Sequence, residues 1–216
     1  MGLLLSLSQR VPLGSDTTYI HCCTLSDAEL KLIADTGGTY SLAVPIEMQM
    51  GHGRPPIQRI LDLGRRPSLS VDVETNQPTD MFTQMRSCFA LQRLFITEQH
   101  LFPAVPPPGA LLNVRDVLEL ATIEGARANG LEAKVGTLTP GKEADVILLR
   151  TKAINVGPLN DAIGAVVLGM DVSNVDSVYI AGKAVKRNGR LVAIDVDRLL
   201  KKAEKARDAL LARAGS

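Results

Sequence analysis

Short apolar runs and amphipathic stretches alternate through the first part of the chain. Tyr19 to Cys23 reads as a short strand that includes a polar residue, His21. Ser26 follows as a helix cap, and Glu29 three residues later completes a capping box. Leu30, Leu32 and Ile33 carry that helix to a stop at Gly37-Gly38. Tyr40 to Val44 is a second apolar run, closed by Pro45, and Gly51 to Pro56 reads as a loop. Ile57 to Leu63 predicts a short helix ending at Gly64, and Ser68 to Val71 a third strand ending at Asp72. Three strand–helix units in about 80 residues predict parallel strands with helices outside them, an α/β layer or barrel. In (β/α)₈ barrels the chemistry sits on the loops at the carboxyl ends of the strands. His21 and Asp72 both occupy such places.

A long helix is predicted from about Thr79 to Glu98, with Met81, Phe82, Met85, Phe89, Leu91, Gln92 and Leu94 as its apolar stripe. Phe102 to Gly109 is a proline-rich break. Asn113 to Asn129 predicts one further helix, with Gly130 just past its end. The pattern then changes to strands and turns. Ala144 to Leu149 is a strong strand, and Val175 to Ile180 pairs with Lys183 to Lys186 through a tight turn at Ala181-Gly182. Asn188-Gly189 signals another turn. An amphipathic helix from Val196 to Arg213 closes the pattern, with Leu199, Leu200, Ala203, Ala206, Leu210 and Leu211 expected inward.

Composition narrows the function classes. Apolar residues make up 45% of the 216, enough for a core, but aromatics only 3%, so aliphatic residues must build it. Lys+Arg number 24 and Asp+Glu 23, and this balance, with few stacking aromatics, argues against a nucleic-acid partner. Cys22, Cys23 and Cys88 are too few and too oddly placed for a disulfide framework, which points to a reducing, cytoplasmic setting. No apolar run reaches the roughly 18 residues of a membrane span. Met1 to Val11 is apolar but short, without the charged start of a signal peptide.

Three ordered motifs carry a resemblance. Gly136, Leu138, Gly141, Lys142, Ala144 and Asp145 fit G-x-L-x-x-G-K-x-A-D followed by an apolar strand. Ala121, Thr122, Gly125, Ala126, Gly130 and Leu131 fit A-T-x-x-G-A-x-x-x-G-L, and Val175, Val178, Gly182 and Val185 fit a closing hairpin. Together they resemble the cytosine deaminase and chlorohydrolase branch of the amidohydrolase superfamily. The front half fits as well. Tyr19 to Cys22 looks like the sixth barrel strand, the loop around Gly51, His52 and Gly53 follows strand seven, and Leu69 to Asp72 with Asn76 looks like strand eight. Asp80, Phe82, Met85 and Arg86 match D-x-F-x-x-M-R.

The resemblance implies a partial (β/α)₈ barrel holding the last three β/α units over residues 1–130, strands of a small β-sandwich over 131–194, and a C-terminal helix over 195–216. It implies a divalent metal, zinc or iron, that activates water against a ring or amide carbon of a small, heterocyclic substrate. Asp72 takes the place of the aspartate that contacts the metal and accepts the water's proton. His21 takes the place of the histidine that holds or polarises the substrate. Glu47, His52 and Asn76 are further candidate substrate contacts, and Glu74 stands near the same mouth.

The sequence also departs from that pattern. Among its three histidines, His21, His52 and His100, none forms the H-x-H pair of strand one, and the strand-five histidine and its glutamate have no counterpart. A zinc site needs about three protein donors besides water. Metal binding by this chain alone is therefore not expected. The alternatives are a truncated hydrolase, one piece of a barrel completed by another polypeptide, or an inactive remnant serving as a binding or oligomerising module. Strands six to eight would leave sheet edges open, so a homo-oligomer is also expected.

Overall fold

The computed structural model describes residues 13–98 and 111–215. The apolar start, the proline-rich segment from Phe102 to Gly109 and His100 lie outside the described residues. β1 (Thr18–Ile20), β2 (Thr39–Leu42) and β3 (Ser68–Leu69) form a parallel sheet in that order, with Tyr19 beside Tyr40 and Ser41 beside Ser68. Parallel neighbours cannot be joined by a tight turn, so helices carry the chain back. α1 (Asp27–Asp35) follows β1, α2 (Val44–Gln49) and α3 (Ile57–Asp62) follow β2, and α4 (Met81–Glu98) follows β3.

The cap of α1 forms as its sequence predicts. The Glu29 amide donates to the Ser26 hydroxyl and the Ser26 amide donates to the Glu29 carboxylate. Leu30 and Ile33 of α1, Tyr40 and Leu42 of β2, Ile57 and Ile60 of α3, and Met85 and Cys88 of α4 make one buried cluster. The Tyr40 hydroxyl inside it donates to the Leu30 carbonyl at 2.6 Å, so its burial leaves no polar group unpaired.

Several elements differ from the sequence expectation. Pro45 does not close a strand; it sits in the first turn of α2, where its missing N–H has no helical partner to lose. The chain between that apolar run and Gly51 is thus helical over Val44–Gln49. On α4, Leu94 is 56% exposed, while Gln84, Cys88 and Gln92 face inward. Gln92 earns that place by bonding the Gln58 side chain and the Leu112 amide. The single helix expected over 113–129 is two, α5 (Val114–Leu120) and α6 (Ile123–Ala128). At the break, the Thr122 hydroxyl donates back to the Leu118 carbonyl at 2.7 Å, competing with helix continuation.

Arg66, just before β3, contacts Asp116, Glu119 and Glu124, and Arg127 also pairs with Glu124. A cavity of about 250 Å³ opens there, lined by Arg65, Arg66, Glu124 and Arg127. It lies at the amino ends of the strands, and its charges tie α5 and α6 to the sheet.

The second sheet is antiparallel, ordered β4 (Val146–Leu149), β5 (Val175–Ile180), β6 (Lys183–Arg187) and β7 (Arg190–Leu191). Both predicted turns form: Ala181-Gly182 and Asn188-Gly189 are left-handed pairs, as two-residue hairpins require. The loop before β4 is a structural knot. The Lys142 ammonium donates to the Glu132 and Val135 carbonyls, and Asp145 accepts the Ala181 amide at 2.7 Å. α7 (Ala162–Gly164), continued by a wider turn over Ala165–Gly169, packs on α4 and α5, where Val167 joins the first sheet's buried cluster and the Met170 carbonyl accepts from Arg86. The closing helix α8 (Val196–Ala214) forms as predicted, but none of its residues is buried. The leucines expected inward, Leu199, Leu200, Leu210 and Leu211, are exposed, because the described part of the chain sets no apolar surface against them. Among the described residues, no helix is long and apolar enough to cross a membrane.

Candidate active site

Two strand tips build the site. The His21 amide donates to the Ser41 carbonyl at 2.9 Å, continuing the β1–β2 ladder by one residue. The chain then turns sharply: His21 and Cys22 have φ of 64° and 57°. At the other tip the Ser70 amide extends the ladder to the Leu42 carbonyl, and Asp72 turns with φ of 69°. Left-handed backbone costs an L-residue roughly 1–2 kcal/mol. Among the described residues, non-glycine positions with this backbone occur only at these two tips and in the two hairpin turns. Strain held at strand ends is a mark of functional positions.

The result is convergence. His21 Nε2 lies 3.7 Å from Asp72 Oδ2, with the two side chains 29% and 35% exposed. His21 Nδ1 lies 3.2 Å from Glu47 Oε1. The His52 ring stands edge-on to the His21 ring, 5.2 Å between centroids.

Glu47 is not where its sequence position suggested. It lies on α2 and is fully buried behind His21, so it does not project into the mouth as a surface contact. Burial pushes its carboxyl above the usual range, partly offset by the Ala43 amide and His21. Asn76 is exposed, with its side chain on Thr75 and Met50 and its carbonyl on the Gln49 amide group, rather than on His21 or Asp72. Glu74 is exposed in the same loop.

One positioning residue had no sequence signal. The Gln77 amide donates to the carbonyls of Val71 and Val73, bracketing Asp72 on both sides. The cysteines around the site are poor nucleophiles. Burial, then the Glu47 carboxylate, pushes the Cys23 thiol up to about 12, and burial does the same for Cys22 and Cys88.

Whether these residues fit a metal ion is decided by donor count. Among the described residues no three His, Cys, Asp or Glu side chains are grouped to hold one. His21 and Asp72 offer two donors, and Glu47 Oε1 is engaged by the Ala43 amide at 2.8 Å. By themselves the described residues do not fit zinc or iron.

Parallel strands wrapped by helices, with an imidazole and a carboxylate meeting beyond their carboxyl ends, make an α/β scaffold. The chain belongs to the amidohydrolase family, whose model matches residues 9–185. A 5-methylthioadenosine/S-adenosylhomocysteine deaminase of Desulforudis audaxviator is 32% identical over 186 residues, 86% of this chain and 41% of that protein. A 5'-deoxyadenosine deaminase of Methanothermobacter thermautotrophicus is 30% identical over 195 residues, 90% of this chain and 43% of that protein. The solved structure of a Xanthomonas campestris adenosine deaminase with bound zinc shares the fold, with a TM-score of 0.86 at 22% identity over 97% of this chain and 46% of that one. An atrazine chlorohydrolase of Arthrobacter aurescens complexed with zinc gives 0.80 at 19% identity, over 92% of this chain and 42% of its own. The chain thus spans less than half the length of these relatives.

Proposed function

We propose that this protein serves hydrolytic removal of an amino or similar leaving group from a ring carbon of a small nitrogen heterocycle. The observation that supports it is the meeting of His21 and Asp72 at 3.7 Å beyond the ends of β1 and β3, the strands on either side of β2. In this reading β1 to β3 are the last three strands of a (β/α)₈ barrel within residues 1–130. Residues 131–194 supply strands of a small β-sandwich, and 195–216 the closing helix. The family relatives that are deaminases of adenosine derivatives suggest the substrate class. The setting is cytoplasmic, without nucleic acid or membrane, and self-association is part of the proposal.

Asp72 is the proton acceptor. It takes one proton from the attacking water as the C–O bond forms, and passes it to the departing nitrogen as the C–N bond breaks; the water's second proton ends on the adjacent ring nitrogen, which has taken up the C=N electron pair. A ring amine and water become a ring carbonyl and ammonia. His21 holds the heterocycle against Asp72. A divalent ion, which family membership implies, would supply water activation in the whole protein. Its donors must include groups besides His21 and Asp72.

A second reading is a heterocycle-binding or oligomerising module without turnover. Two observations favour it: the absence of a three-donor cluster among the described residues, and the exposed leucine stripe of α8. The experiment is to offer the purified chain adenosine, 5'-methylthioadenosine, 5'-deoxyadenosine, cytosine and an aminotriazine with zinc present, measuring ammonia and melting temperature. A raised melting temperature is the expected result for this chain, ammonia release in addition selects the hydrolytic reading over the second, and no response to any compound contradicts a heterocycle site.

A further inference from the structure

We infer that Glu47 is a positioning residue that locks His21 in the Nδ1–H tautomer and so presents Nε2 at the mouth as a hydrogen-bond acceptor. This rests on the hydrolase reading only for its meaning, not for its geometry. Glu47 Oε1 accepts the Ala43 amide at 2.8 Å, which fixes it as an acceptor oxygen. A proton on this carboxyl would sit on Oε2, a buried atom with no hydrogen-bond partner. The ring nitrogen facing Oε1 at 3.2 Å, Nδ1, is therefore the donor.

The clamp is rigid. Glu47 is 0% exposed, and its own amide returns to the Ala43 carbonyl at 3.0 Å, so the carboxylate folds back on the turn that carries it. His21 is held by its backbone on Ser41 and flanked by the edge-on His52 ring. Such a hydrogen bond behind an imidazole decides which face of the ring is basic.

The consequence concerns the ligand. With Nδ1 turned to Glu47, Nε2 and Asp72 Oδ2 stand side by side at the mouth, 3.7 Å apart. They suit a ligand edge with two N–H donors, such as an exocyclic amino group or an amidine face. The oxo product keeps only its ring N–H, and its carbonyl accepts instead of donating, so the amino compound is held more tightly than the product.

The test is nitrogen-15 NMR of the histidine side chains at pH 8 in the wild type, Glu47→Gln and Glu47→Leu. The glutamine keeps the acceptor oxygen and the leucine removes it. The expected result is the Nδ1–H form of His21 in the wild type and in Glu47→Gln, with a switch towards Nε2–H in Glu47→Leu. An Nε2–H or doubly protonated His21 in the wild type overturns the inference, as does an unchanged tautomer in a folded Glu47→Leu. Should the leucine variant fail to fold, the wild-type and glutamine spectra still decide. The readout needs no turnover, so its failure is separable from failure of the hydrolase assignment.

Discussion

Where the metal donors are complete, Asp72→Asn is expected to cut ammonia release from a heterocyclic amine by roughly 10²–10⁴-fold, the range that a positioned acid–base group supplies. The same substitution should leave folding stability within about 0.5 kcal/mol of the wild type. Three features separate the two effects. Asn tolerates the left-handed backbone that Asp72 adopts, with φ of 69°, nearly as well as Asp does. The carboxylate is 35% exposed and its oxygen lies 3.7 Å from His21 Nε2, beyond hydrogen-bond distance, so the pair adds little to stability. The Gln77 clamp grips the backbone around Asp72, and that clamp is untouched. Asp72→Val is the contrasting variant. A β-branched residue in that backbone costs about 1–3 kcal/mol, so it loses stability as well as activity. Denaturant melts beside an ammonia assay read both quantities. A fully active Asp72→Asn would remove Asp72 from the proton path.

Gly136→Ala is expected to cost about 2–4 kcal/mol, from strain and overpacking together. Gly136 has φ of +88°, and an added Cβ would lie 2.8 Å from the Ala126 Cβ and 3.1 Å from the Ile123 Cα. Neither neighbour is the loose end of a side chain. Both belong to α6, which Glu124 fastens to Arg66. The glycine that opens the most recognisable motif of the sequence is thus a packing device, where the chain leaves the first sheet's helices for the second sheet. Urea unfolding measures the loss, and a change below about 0.5 kcal/mol would show that α6 and this loop separate freely.

What the sequence made legible was what is local. The Ser26–Glu29 cap, the two left-handed hairpin turns and the glycine past α6 are each decided within four residues, and each forms. What it hid depends on partners far along the chain. The break at Thr122 turns on whether a hydroxyl bonds backwards, which apolar periodicity does not register. The burial of Glu47 follows from Pro45 starting a helix rather than ending a strand, which turned the carboxylate behind His21 instead of into solvent. The leucines of α8 have helical periodicity, but periodicity says only that a stripe exists, not that the described chain covers it. At the site, residue identity and strand-end position pointed to His21 and Asp72, whereas Gln77 was silent because its part is played by one amide group reaching two carbonyls.

The central claim is that His21 and Asp72 face one ligand together. Titration calorimetry of 5'-methylthioadenosine against the wild type, His21→Asn, Asp72→Asn and the double variant tests it most directly. Asn is chosen at both positions because it accepts the left-handed backbone. Groups sharing one ligand are coupled, so the double variant should lose less affinity than the two single losses summed, by at least about 0.5 kcal/mol. Strictly additive losses, or affinity untouched by either substitution, would contradict a shared mouth.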